Sequence, residues 1–375
     1  MLGVLCTRPV DRSDEKRTDK MKFVHISDVF LGTKLPEEAP AWQKDREKDA
    51  RETFEKIVTF CSEEKVDLLL IAGNLFAAPP TGEDLAWLDE KLSAVEHLRT
   101  VMLSGPADFA GPGAPIANYQ FRTRTAVLPA NRTTNAYLKG INTCVTGVSY
   151  GREEYRDRIL EDIGPGRSDA INILLASGGD KKHMPFRKDV LAQKGFQYVA
   201  LGGKREPVHI LKNRMAYSGS PEPFWPEETG RRGFILGEIV DGKTEIKFCH
   251  VNKRTFIDLE VQVTPSLSDE EIQTEVENRI MKLGIDNIYS IILRGFASDD
   301  MNPDFNRISE RFFISRIMNL TIPEKDLRAL RIENSGNLAG SFVNGIELDY
   351  SVDDKIRERA ERYGLEALII AEDRA

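Results

Sequence analysis

Cysteine is scarce in this chain of 375 residues, and its four copies, Cys6, Cys61, Cys144 and Cys249, lie far apart with no Cys-x-x-Cys pair. That excludes a cysteine-rich zinc module and a disulfide scaffold, and it suits a reducing cytoplasm. Histidine is also sparse, with five copies at 25, 97, 183, 209 and 250. No apolar run approaches the roughly 18 residues that a membrane helix needs. There is no surplus of positive charge: 52 basic residues against 60 acidic ones leave a net charge of −8. Such a chain does not coat nucleic acid nonspecifically, so any contact with it requires a local basic face. What is present is 41% hydrophobic and 30% charged residues, the balance of a soluble globular protein with two domains or three.

Residues 1–20 read as a disordered tail of mixed charge, with Met21 a second candidate start beside the first strong strand. From Lys22 the pattern alternates. Phe23-Val24-His25-Ile26 reads as a buried strand, Arg46–Glu64 as a helix with Phe54, Ile57, Val58 and Cys61 on one face, and Asp67–Ala72 as a second buried strand. A helix over Asp84–His97 and a strand over Thr100–Leu103 follow, then strands at Ile141–Gly147, Ile171–Leu175 and Tyr198–Leu201. Met215–Ser218, Gly233–Val240 and Thr244–Cys249 read as a closing antiparallel run. Phe256–Val263 alternates, Ser268–Glu271 is a capping box opening a helix, and Tyr289–Leu293 completes a βαβ unit. A helix near Phe305–Met318, a strand at Leu327–Ile332 and a charged helix from Asp353 are expected last. The expected fold is α/β, a β-sandwich flanked by helices (α-β-β-α) over 21–254, then a small α/β domain over 255–335 and a C-terminal segment over 336–375.

Several strands run directly into polar, glycine-containing loops: Asp28-Val29-Phe30-Leu31-Gly32, Gly73-Asn74-Leu75-Phe76, Ser104-Gly105-Pro106-Ala107-Asp108, Ala176-Ser177-Gly178, Gly202–Pro207 and Ser218-Gly219-Ser220-Pro221-Glu222-Pro223. A two-metal phosphoesterase needs this arrangement, because Asp, Asn and His side chains at strand ends hold two cations that activate water and neutralise phosphate. The ordered series resembles the calcineurin-like metallophosphoesterases, and more narrowly the SbcD/YhaO-type DNA repair exonuclease subunits. The resemblance covers roughly 21–296, continues through Arg231-Arg232-Gly233-Phe234, and implies a metallophosphoesterase-like core followed by a DNA-capping domain.

The ligands that the resemblance implies are mostly replaced. Where the family has Asp-x-His, the chain has Asp28 and Phe30; where it has Gly-Asp, Gly73-Asn74; where it has Gly-Asn-His-Asp, Gly105-Pro106-Ala107-Asp108. Pro106 thus replaces a ligand and Ala107 the general-acid histidine. Ser177 falls at or beside a fourth ligand, and Gly203 and Arg205 stand for Gly-His-x-His. Only Asp28 keeps its type, and Asn74 has a neutral oxygen in place of a bridging carboxylate. No metal is expected, with Asp28 and Asn74 the residual candidates; Mn or Mg belongs to the alternative of an active enzyme. An ion pair between Asp28 and Arg205 is expected instead. His183 is the histidine best placed to approach the site, while His25 reads as a core residue.

Between Asp108 and Glu153 there is no acidic residue, but Arg122, Arg124, Arg132, Lys139 and Arg152 are present. This local basic stretch reads either as a phosphate-contacting surface or as a solvated face that docks an acidic partner. In the C-terminal segment Ile356, Ala360 and Tyr363 form a stripe, followed by Leu365, Leu368, Ile369 and Ile370. It is read as docking on the chain's own small domain or, as the resemblance implies, as gripping the coiled coil of an SbcC-like ATPase. The chain itself is not read as that ATPase. The function expected is a non-hydrolytic structural or DNA-engaging subunit of such a complex, in the cytoplasm, with a homodimer implied by the resemblance. The alternatives are an active metal-dependent exonuclease and a stand-alone binding or regulatory protein.

Overall fold

In chain order the strands are β1 (Lys20–Ile26), β2 (Leu68–Ala72), β3 (Arg99–Leu103), β4 (Thr125–Val127), β5 (Thr134–Leu138), β6 (Thr143–Gly147), β7 (Ile171–Ser177), β8 (Tyr198–Gly202), β9 (Val208–Leu211), β10 (Met215–Tyr217), β11 (Gly233–Val240), β12 (Lys243–His250), β13 (Phe256–Val263), β14 (Ile288–Ala297) and β15 (Phe313–Pro323). The helices are α1 (Ala41–Lys44), α2 (Arg46–Glu63), α3 (Gly82–Ser93), α4 (Lys188–Ala192), α5 (Asp269–Leu283), α6 (Asn306–Arg311) and α7 (Leu338–Glu347). The computed structural model describes residues 20–34, 39–298, 300–323 and 338–347, with scattered positions from 353 to 368. The expected tail over 1–20 lies outside these except at Lys20, and so do the strand expected at Leu327–Ile332 and the positions Leu365, Ile369 and Ile370.

The chain divides into two units. The first comprises Met1–Lys34, Ala50–Glu222 and Arg232–Asn252; the second gathers Leu35–Asp49, Pro223–Arg231 and Lys253–Ala375. The segments Leu35–Asp49 and Pro223–Arg231 belong to the second unit, which no linear reading assigns to them. The first unit holds two six-stranded sheets, ordered β12-β11-β1-β2-β3-β4 and β5-β6-β7-β8-β10-β9. Phe23, Leu68, Leu70, Val101 and Leu103 of one sheet pack against Val145, Ile173, Leu175, Tyr198 and Ala200 of the other. These strands are apolar on both faces because helices or a second sheet cover each side; α2 buries Phe54, Ile57 and Cys61, and α3 buries Leu85, Leu88 and Leu92.

The strands that carry the polar loops are parallel neighbours. β1, β2 and β3 run parallel in the first sheet, and β7, β8 and β10 in the second. The three loops of each sheet therefore share one end, and Ser27 Oγ at 2.9 Å from Ser218 Oγ brings the two ends together. Met215–Tyr217 departs from expectation here: β10 pairs parallel with β8 and antiparallel only with the short β9, and the antiparallel closure is left to β11 and β12. The run Gly237-Glu-Ile-Val-Asp-Gly-Lys-Thr244 has the residue spacing of a phosphate-binding P-loop. It is instead the β11–β12 hairpin, turned at Asp241 and Gly242 with φ of +50° and +75°. No helix N-terminus follows it to receive phosphate, so the spacing carries no nucleotide site.

In the second unit β13, β14 and β15 form an all-parallel sheet. Helix α5, opened by the Ser268–Glu271 capping box, buries Ile272, Val276 and Ile280 against Leu259, Val261, Ile291 and Leu293. The helix expected over Phe305–Met318 is corrected: only Asn306–Arg311 is helical, and Phe313 onward pairs with β14 over its length. Ile314, Ile317 and Ile322 are β-branched, and ladder pairing with β14 outweighs their helix-like spacing. Of the C-terminal residues, Leu368 packs with Phe296, Ile322, Phe342 and Val343 of this same unit, while Ile356 and Tyr363 are exposed.

Candidate functional site

At the loop end of the first unit, Asp28, Phe30 and Asn74 all adopt left-handed backbone, with φ of +55°, +54° and +51°. For phenylalanine that conformation is uphill, and it persists only where neighbours hold it. Here the holders are main-chain bonds: Asp28 N donates to Gly73 O at 3.0 Å, Phe30 N to Asn74 O at 3.1 Å and Leu31 N to Leu75 O at 2.9 Å. The first two loops are thus laced together.

The side chains complete a closed hydrogen-bonded network. Asn74 Nδ2 donates to Asp28 Oδ1 at 2.8 Å, Gly203 N donates to Asp28 Oδ2 at 2.9 Å, and Ala107 N donates to Asn74 Oδ1 at 2.9 Å. Asp108, fully buried, accepts from Gly105 N at 2.6 Å and Asn74 N at 3.0 Å through Oδ1, and from Phe76 N at 3.2 Å through Oδ2. Loops following β1, β2, β3 and β8 meet in these bonds. Burial pushes Asp28 up to about 6, although bonds from Asn74, Ser27 and Gly203 and the charge of Arg205 pull it down. Burial pushes Asp108 up to about 6 as well, against its backbone donors.

The positive charge of Arg205 acts on Asp28 and favours its ionised form. Its guanidinium stands 4.9 Å from the centroid of the Phe30 ring, and Lys204 lies 5.0 Å from that of Tyr217. The Arg205 carbonyl accepts from Ser220 N at 2.9 Å and from the buried Arg232 guanidinium. That gives the Ser218–Pro223 and Arg231–Phe234 motifs a mechanical role: they hold the β8 loop over the site.

The donors here do not fit a two-metal centre. Both Asp28 oxygens and the Asn74 oxygen already accept N–H bonds, and Phe30, Pro106, Ala107 and Gly203 offer no side-chain ligand. Ser177 supplies only a buried hydroxyl with no hydrogen-bond partner. Among the described residues no group of three or more His, Cys, Asp or Glu side chains could hold a metal ion. His25 is a core residue: its Nδ1 lies 3.0 Å from Tyr198 Oη, and burial pushes it down to about 3. His183 pairs with Asp180, Nδ1 to Oδ2 at 2.7 Å, and His97, His209 and His250 are exposed.

The basic stretch is divided by the strand register. Thr134 pairs with Gly147 and Leu138 with Thr143, so Arg132 and Arg152 lie toward the loop end of the sheet and Lys139 at the opposite end. Arg122 and Arg124 precede β4, whose Thr125 pairs with Thr100 near the start of β3, which places them at that opposite end too. The third loop places Asp108 in the site, but its bonding could not be read from the sequence, because its partners are backbone amides and leave no side-chain pattern.

Glycine at 105 is part of the same design. A methyl group there would run into the Asn74 side-chain oxygen and backbone. Gly105→Ala is expected to break the Asn74–Ala107 bond and lower stability by about 2–3 kcal/mol, read by denaturant unfolding. An unchanged midpoint would show that the loop has slack.

Two stacked mixed sheets inside helices, with a row of loops at one end of parallel strands, are the architecture of a metallophosphoesterase. No family model matches the chain. Curated relatives do, each named DNA double-strand break repair protein Mre11. The Methanopyrus kandleri protein is 25% identical over 287 residues, 68% of this chain and 62% of its own length. The Methanocaldococcus jannaschii protein is 23% identical over 79% of this chain and 82% of its own, and the Sulfolobus acidocaldarius protein 22% over 70% of each. The chain therefore spans less than two thirds of the Methanopyrus relative. Looser likenesses among solved structures include TT1561 of Thermus thermophilus (15% identity, TM-score 0.36, 61% of this chain and 98% of that one) and GAP50, the anchor in the inner membrane complex of Plasmodium (13%, 0.40, 62% and 85%). The fold and these Mre11 relatives support a place in the calcineurin-like metallophosphoesterase superfamily.

Proposed function

We propose that this is a DNA-repair nuclease-family protein that no longer hydrolyses phosphodiesters and serves as a structural or DNA-engaging subunit of an SbcC-like coiled-coil ATPase complex. The observation that carries this reading is the Asn74 carboxamide, which spans Asp28 and Ala107 with hydrogen bonds where a phosphoesterase needs a bridging carboxylate. Two cations held by one carboxylate would repel each other with little compensation, and the Arg205 charge adds to that. The names of the relatives support the DNA-repair setting. The same reading takes 21–254 as the phosphoesterase-like region, 255–335 as the cap and 336–375 as the C-terminal segment, in a cytoplasmic protein that pairs with a second copy. Arg132 and Arg152 are the members of the basic stretch closest in register to the loop end.

The test is calorimetric titration with Mn²⁺ beside a nuclease assay on single- and double-stranded DNA. No heat of binding in the micromolar range and no cleavage are expected. Two equivalents bound at micromolar affinity, with cleavage abolished by Asp28→Ala, would establish the active exonuclease instead.

A further inference from the structure

Resting on the DNA-engaging reading above, we infer that the segment 119–124 is a preformed platform for single-stranded nucleic acid, fixed in place by the buried carboxylate of Asp89. Tyr119 and Phe121 meet edge to face with ring centroids 4.8 Å apart, and both remain half-exposed. Arg122 follows with its side chain 75% exposed, and Arg124 is exposed and enters no ion pair among the described residues.

Asp89 stands fully buried on α3, where a lone carboxylate would be costly. It is satisfied entirely by this segment. Its Oδ2 accepts from Arg122 N at 3.0 Å and Nε at 3.1 Å, and its Oδ1 accepts from Thr123 N at 3.1 Å and Oγ1 at 2.8 Å. Despite burial, these donors hold the carboxyl below its usual range. Four bonds to two consecutive residues set the backbone, and with it the spacing of rings and guanidinium groups, before any ligand arrives.

The surroundings favour a polyanion. No acidic residue occurs between Asp108 and Glu153, and the positions one turn before and after Asp89 on α3 are uncharged. Aromatic faces beside arginines are what single strands use, since every base can stack and every phosphate can pair. A duplex hides its base faces and gains nothing from the rings.

The experiment is fluorescence anisotropy of a dye-labelled oligo(dT) with the full chain in EDTA, across a salt series. Tyr119→Ala/Phe121→Ala is expected to weaken binding about tenfold at fixed salt and leave the salt slope unchanged. Arg122→Ala/Arg124→Ala is expected to reduce the slope by about 1.4, two phosphates at about 0.7 each. The aromatic pair is a surface change, but Arg122→Ala also removes the Nε donor to Asp89, so Arg124→Ala alone, expected to lower the slope by about 0.7, is measured beside it, and matching thermal midpoints confirm that the variants are folded. Affinity untouched by either pair overturns the platform. So does poly-glutamate competing as well as oligo(dT) with the aromatic variant indifferent, which would assign the surface to an acidic protein partner. Cleavage in the Mn²⁺ assay would sink the non-hydrolytic reading and leave this result standing, because binding is measured without metal.

Discussion

Asn74→Asp is expected to destabilise the chain by about 3 kcal/mol at about pH 8 and by much less at about pH 5. The substitution is nearly isosteric and keeps an oxygen for Ala107 N. It replaces the donor that faces Asp28 with a second carboxylate, at a position where the present bond is 2.8 Å long. Two buried carboxylates at that distance cannot both ionise, so the pair takes up a proton and titrates as a unit. Thermal melts at the two pH values should differ by about 10 °C in the variant. Mn²⁺ should not restore the loss, because Phe30, Pro106, Ala107 and Gly203 add no ligand. Equal losses at both pH values would show that Asn74 acts through shape alone, and rescue by Mn²⁺ would show that one residue separates this site from a working metal centre.

The parent chain sets the baseline for that comparison. Asp28 and Asp108, both pushed up to about 6 from 3.8 by burial, bind protons in the folded state that the unfolded chain does not bind. Their contribution to stability is complete below the unfolded value and is lost as pH rises through about 6. His25, pushed down to about 3 from 6.5, works in the opposite sense: its contribution is present above the unfolded value and fades as pH falls toward 3. Two carboxyls against one imidazole leave a net gain on mild acidification.

The second large effect is expected at Asp49. This fully buried carboxylate faces three cations: Lys253 Nζ at 2.9 Å from Oδ1, Arg254 Nε at 2.9 Å from Oδ2, and the buried Arg46. Burial pulls its pKa up, but Lys253, Arg46 and Arg254 outweigh that and hold it below the usual range. Asp49→Ala leaves buried positive charge without its counter-charge, and a loss of about 3–5 kcal/mol is expected by denaturant unfolding. Because the folded value is depressed, this contribution is present above the ordinary aspartate pKa and is lost as pH falls through the folded one. Asp49→Asn should recover part of the loss through shape, but not the pH dependence. A variant that unfolds with the parent would show that the three cations are satisfied elsewhere.

The strands bearing the site loops were legible because each is a short apolar run ending in Gly, Asn, Asp or Pro, a pattern that buried parallel strands impose locally. Helix α3 was placed late at Asp84 because the capping signal there is reciprocal: Thr81 caps the Asp84 amide and the Asp84 carboxylate returns to Thr81. The edge strands β4, β5 and β9 left no clear trace, being three to five residues long and only half-buried. At the site, the missing ligands could be read residue by residue from the loops. What replaces them could not, since Gly203, Ala107, Gly105 and Phe76 contribute main-chain N–H groups that any residue other than proline possesses.

The second unit is assembled from pieces far apart in the chain, and that imposes an order on its birth. Asp49 and Arg254 are bonded across 205 residues. As the polypeptide leaves the ribosome, the first turn of α2 emerges with Arg46 beside Asp49 but long before Lys253 and Arg254 exist. The rest of α2 and the strands of the first unit can begin to condense meanwhile, since their partners arrive sooner. The opening residues of that helix stay hydrated until Lys253 and Arg254 are translated, and only then can the charges be buried together. A nascent chain stalled short of residue 253 thus carries a half-finished helix with no means of closing it, a natural handle for chaperones and for quality-control proteases.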